Sequence, residues 1–187
     1  MVTTLDKNTA LVLIDLQNGI VNFPVVHPIK DVVGNGVKLA DAFRKAKLPV
    51  VLVNVNPTDS PLSKTRKDAN SLAMAFPEEW YKIVPELNAT DNDIHITKNT
   101  WNAFTNKDLH KTLQENGVTG IVLAGVSTSI GVEGTARAAS EFGYNITFAN
   151  DAMTDMVESA HNHSLNNVFP RLGEVDTTDA IIAKLEA

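Results

Sequence analysis

Three stretches of this 187-residue chain carry side chains that could do chemistry together. Asp15 closes the apolar run Ala10–Leu11–Val12–Leu13–Ile14. Desolvation there raises a carboxyl pKa and a nearby ammonium lowers it, which is how an acid is tuned for proton transfer. The same residue could instead cap the turn at Gln17–Gly19. Lys98 ends the short alternating segment Asp93–Thr97; it could be a charge partner for Asp15 and a clamp for an anionic substrate, or could snorkel to solvent. The third stretch, Gly125 to Gly131 (GVSTSIG), joins an apolar run to a helix expected to start near Ile130. Backbone N–H groups at such a start form an anion or oxyanion site. Ser127, Thr128 and Ser129 raise a serine-hydrolase reading, but there is no G-x-S-x-G elbow and no histidine at a plausible partner position.

Those residues need a scaffold that brings them to one edge. Ala10–Leu16 and Val50–Val55 read as strands buried on both faces, Asp93–Thr97 and Asn145–Ala149 as further strands, and Gly173–Asp176 as a weak edge strand. Apolar Val33, Val37, Ala40, Phe43 and Ala46 recur at helical spacing, so 31–47 is a helix. Thr105-x-x-Asp108 resembles a capping box opening a helix that stops at Gly117. A helix to about Phe142 with Gly143 as cap, another over Thr154–Val168, and a closing helix over 178–186 complete the alternation. Strands alternating with helices imply a parallel sheet with helices on both faces, and a site at the C-terminal strand ends near the switch in strand order. Residues 56–92 are the least regular part, with Pro57, Pro61, Pro77 and Pro85, the basic Lys64, Arg66 and Lys67, and the aromatics Phe76, Trp80 and Tyr81. Aromatics argue for packing, and a long insertion after a strand end is usually functional.

Composition narrows the function classes. Hydrophobic residues at 43% and charged residues at 20% are ordinary globular values, and the length suits one domain over residues 1–187. The net charge of −6 gives no basic footprint for nucleic acid or an anionic membrane. With no cysteine, disulfides, thiolate metal sites and a cysteine nucleophile are excluded. The five dispersed histidines do not suggest a metal site, and no cofactor motif is present. Residues 1–8 lack the plan of a signal peptide and no apolar run is long enough to span a bilayer, so a cytoplasmic location is expected.

ALVLIDLQNGIV (10–21), KNTWNAFTNKDLHKTLQENGVTGIVLAGV (98–126) and GVSTSIGVEGTARAASEFGYNITFANDAMTD (125–155) together resemble the isochorismatase-like hydrolases, which include nicotinamidases and N-carbamoylsarcosine amidase. The resemblance covers nearly the whole chain. It implies a three-layer α/β/α fold with a six-stranded parallel sheet (Rossmann-like), a homo-oligomer, and a non-proline cis peptide at Val126–Ser127 that shapes an oxyanion hole. It places the catalytic aspartate on Asp15, the catalytic lysine on Lys98, and the nucleophilic cysteine of the amidases on Gly131. True isochorismatases also carry glycine there; their acid protonates an enolpyruvyl methylene carbon, water adds, and pyruvate leaves. Asn56, before Pro57, falls where those enzymes place a substrate-binding glutamine, and their Tyr-Ala-His segment is Ser127-Thr128-Ser129 here.

The leading expectation is therefore a metal-free, cofactor-free hydrolase of a small, anionic, carboxylated molecule, with catalytic Asp15, Lys98 and Gly131. Gln17, Asn56, Arg66, Trp101, Val126, Ser127, Thr128, Ser129 and Ile130 are the substrate-binding candidates. An amide or ester hydrolase using activated water or Ser129, and a catalytically silent scaffold, stay open beside it.

Overall fold

A computed structural model describes residues 1–68 and 76–186. Strand β1 (Thr9–Ile14) is buried along its whole length. Its side chains divide by the two-residue period of a strand: Ala10, Val12 and Ile14 enter one core layer, Leu11 and Leu13 the other. That is why the run is continuously apolar. β2 (Val50–Val55) and β4 (Gly120–Val126) flank β1, while β3 (Ile94–Lys98), β5 (Asn145–Thr154) and β6 (Glu174–Asp176) extend the sheet. The order is β3-β2-β1-β4-β5-β6, and every pairing between these strands is parallel. The strand order reverses between β1 and β4, so their C-terminal ends border the crevice where such sheets bind ligands.

Seven α-helices are described: α1 (Asn18–Val21), α2 (Ile29–Lys45), α3 (Glu78–Tyr81), α4 (Lys107–Glu115), α5 (Glu133–Glu141), α6 (Glu158–His163) and α7 (Thr178–Leu185). α2 and α7 cover one face through Leu39, Phe43 and Ile181, and α4 and α5 cover the other through Leu109, Leu113, Ala136 and Ala139. The result is a three-layer α/β/α fold with a six-stranded parallel sheet, as the resemblance implies. Each large side chain so buried contributes about 1.5–3 kcal/mol. β1 and β4 approach so closely that a Cβ on Gly125 would lie 2.0 Å from the Ile14 carbonyl oxygen, and Gly125 has φ +121°. Both facts require glycine.

The structure differs from the sequence reading at several element ends. β1 stops at Ile14, which leaves Asp15 just beyond it with φ +52°. The cap of α4 is Asn106, whose side chain accepts the Asp108 N–H at 3.0 Å; the Thr105 hydroxyl instead donates to the Asn102 carbonyl. β5 runs on to Thr154, so the helix expected from Thr154 starts at Glu158. Between β4 and α5 the chain makes a π-helical turn over Thr128–Val132, so the regular helix begins three residues after Ile130.

Candidate active site

The Asp15 backbone N–H donates to the Val53 carbonyl at 2.8 Å, tying the residue to the end of β2. Its side chain is turned toward Lys98, whose Nζ donates to Asp15 Oδ2 at 2.7 Å and to the Thr100 carbonyl at 3.1 Å. β2 lies between the two parent strands, so Lys98 reaches over its end. Asp15 and Lys98 are 5% and 3% exposed, so the pair is almost wholly out of water. Burial raises the Asp15 pKa to about 6 against the opposing pull of the Lys98 charge and hydrogen bond. Asp15 Oδ1 has no hydrogen-bond partner among the described residues. An orphaned carboxylate oxygen in so dry a place is costly unless something binds it.

The third wall of this spot is the turn after β4. The Val126–Ser127 peptide is cis. An ideal Cβ on Gly131 would lie 3.3 Å from Asp15 Oδ2 and 2.9 Å from Ile14 Cγ2, so a side chain at this position would begin against the carboxyl group. Asp15, Lys98, Val126, Ser127, Ile130 and Gly131 share one cavity of about 730 Å³. Aromatic and aliphatic walls from Phe23, Phe76, Trp80, Trp101 and Met156 enclose much of the rest, and Lys64 and Lys67 add positive charge.

Of the residues singled out from sequence, Asp15, Lys98, Gly131, Trp101, Val126, Ser127 and Ile130 line this cavity. Five do not. Gln17 is fully buried: its Nε2 donates to the carbonyls of Val55 (3.1 Å) and Trp80 (3.3 Å), and its Oε1 accepts the Val55 N–H at 2.7 Å. Asn56 closes its own turn by accepting the Thr58 N–H at 3.0 Å. Arg66 is exposed, and its neighbours Lys64 and Lys67 take the cavity positions. Thr128 Oγ1 pairs with His161 Nδ1 at 2.8 Å. Ser129 donates to Asp155 Oδ2 from both its N–H (2.7 Å) and its hydroxyl (2.8 Å). Ser129 and Asp155 both lie outside the cavity lining, so this pair braces the turn and does not face the cavity.

The sequence reading missed Phe23, Met156 and the Trp80–Phe76 wall as cavity residues. Trp80 and Phe76 had a signal, being aromatics in an irregular insertion. Phe23 and Met156 had none, since each reaches the cavity only through the fold. No group of three or more metal-ligating side chains occurs among the described residues. No helix among them is long and apolar enough to cross a membrane.

The family model of the isochorismatase domain matches residues 9–180. The isochorismatase family protein YecD of Escherichia coli O157:H7 is 42% identical over 182 residues, covering 96% of this chain and 97% of that one. The isochorismatase family protein YwoC of Bacillus subtilis is 38% identical over 183 residues, covering 96% and 95%. A solved isochorismatase family protein from Burkholderia thailandensis superposes with a TM-score of 0.94 at 41% identity, covering 98% of each chain.

Proposed function

The chain belongs to the isochorismatase family, and from that premise we propose that this hydrolase cleaves a small carboxylated enol ether of the isochorismate type. The observation that carries the reading is the Asp15 carboxyl group, buried, with its pKa raised to about 6 and one oxygen unpartnered, in a chain without a thiol.

In this chemistry Asp15 enters as the neutral acid. It transfers its proton to the terminal methylene carbon of the enolpyruvyl group, and the ether-bearing carbon becomes an oxocarbenium ion. Water adds to that carbon and gives a proton back to the Asp15 carboxylate. The resulting hemiketal collapses: its bond to the ether oxygen breaks, its hydroxyl proton passes to that oxygen, and pyruvate and an alcohol are released. A proton donor is most effective when its pKa lies near the working pH, and a buried carboxyl at about 6 meets that condition. After transfer Asp15 is an anion, and the Lys98 ammonium 2.7 Å away stabilises it in a dry site where that attraction is strong. Lys64 and Lys67 supply positive charge for the substrate carboxylates. Gly131 keeps the space beside Asp15 free for the reacting carbon, and no covalent nucleophile is required.

The alternative use of Ser129 in amide or ester cleavage gains no support from its geometry, because Ser129 does not line the cavity. Incubation with isochorismate and a pyruvate assay tests the proposal. Release that disappears in Asp15→Asn supports it; no release, or release undiminished in that variant, rejects it.

A further inference from the structure

We propose that Gly19 is a positioning residue that sets how large an apolar group the cavity admits, by fixing where the Trp80–Phe76 wall stands. The inference rests on reading this cavity as the substrate site. Gly19 is buried in α1 and does not line the cavity. An ideal Cβ on it would fall 2.1 Å from Trp80 Cε2 and Nε1 and 2.2 Å from Cδ1. Near-equal distances to three ring atoms place the Gly19 backbone against the face of the indole and not its edge. Trp80 in turn stacks on Phe76, with ring centroids 4.2 Å apart and planes 14° from parallel, and both rings line the cavity.

The backbone under this wall is tied to the same segment that carries Gly19. Gln17 holds the Trp80 carbonyl and both backbone groups of Val55. The Asn18 N–H donates to the Lys82 carbonyl at 2.9 Å, and the Asn18 side-chain amide donates to the Glu79 carbonyl at 3.3 Å. With residues 79–82 held at these points, a methyl at position 19 is accommodated by turning the indole, and Phe76 with it. The wall then moves within the cavity, and the cost of overpacking falls on large ligands first. Gln17, expected from sequence to touch substrate, serves here by holding the wall.

Isothermal titration calorimetry on the full-length protein tests this, with benzoate and 2-naphthoate as probes of one size step. Four proteins are compared: wild type, Gly19→Ala, Trp80→Leu and the double variant. We expect Gly19→Ala to weaken 2-naphthoate about tenfold while benzoate changes less than about twofold. Adding Gly19→Ala to Trp80→Leu should change neither, because the ring it would displace is gone. Equal loss for both probes, unchanged binding in Gly19→Ala, or the same loss in the Trp80→Leu background each overturns the assignment of Gly19. Should Gly19→Ala alone not fold, the selectivity is read in Gly19→Ala combined with Trp80→Phe, with the same outcomes deciding. Wild type that binds neither probe overturns the reading of the cavity itself, a failure distinct from wild-type binding that Gly19→Ala leaves intact.

Discussion

Lys98 donates to Asp15 across the end of a strand that belongs to neither, and the two charges sit 2.7 Å apart with both side chains almost wholly buried. An ion pair so buried is not a dependable source of stability, since both charges have lost their water. Its worth lies in what it does to the acid: burial lifts the Asp15 pKa and Lys98 restrains the lift.

Removing one partner should therefore cost more than the pair contributes. Lys98→Met is expected to destabilise the fold by about 3–5 kcal/mol near pH 8, where Asp15 must either stay charged without a partner or take up a proton that is scarce at that pH. The loss should shrink near pH 5, where Asp15 holds its proton. Urea unfolding of the variant at the two pH values measures both. A pH-independent loss would show that Lys98 acts by packing alone.

The pH dependence of stability has a definite sign. The Asp15 pKa is raised in the folded protein from 3.8 to about 6, so the folded state binds its proton more tightly than the unfolded chain does. That contribution is fully present below about pH 4, fades as pH rises through about 6, and amounts to about 3 kcal/mol at most. Asp15→Asn should lack this slope between pH 4 and 6 in urea titrations. If the acid is also the proton donor, kcat for pyruvate release should fall as pH rises above about 6, following loss of the protonated form.

Gly131 offers a test of space. A Cβ there meets Ile14 Cγ2 at 2.9 Å and Asp15 Oδ2 at 3.3 Å. The β-branched Ile14 is stiff, so Gly131→Ala should cost about 1–3 kcal/mol in thermal stability. It should also lower pyruvate release by about tenfold or more through crowding of the acid. Full activity in the folded variant would mean that the space beside Asp15 is not where substrate reacts.

Two other glycines should respond in opposite directions. Gly34, inside α2, has nothing within 4 Å of an ideal Cβ, so Gly34→Ala should stabilise the protein by about 0.5–1 kcal/mol. Gly125→Ala would drive a methyl to 2.0 Å from the Ile14 carbonyl at φ +121°, and should leave little folded protein at all. Thermal melts of Gly34→Ala and the soluble yield of Gly125→Ala are the measurements. A destabilised Gly34→Ala would contradict the open surface there.

Local patterns carried much of this molecule. The unbroken apolarity of Leu11–Ile14 suits a strand covered on both faces, and its alternation with helical periods such as Val33–Val37–Ala40 points to a layered parallel sheet, as found. Asp15 and Lys98 stood out for a related reason, as charges at the ends of apolar or alternating runs. Long-range geometry decided the rest. Sequence alone cannot say that β2 lies between β1 and β3, because strand order follows from how the helical crossovers pack and not from any local residue. It cannot tell a substrate-facing polar side chain from one spent on backbone: Gln17 and Ser129 are competent for either role, and their partners Val55, Trp80 and Asp155 are 26 to 63 residues away. Side-chain chemistry was written in the sequence. Which groups remain unpaired and facing the cavity was settled only when distant segments met.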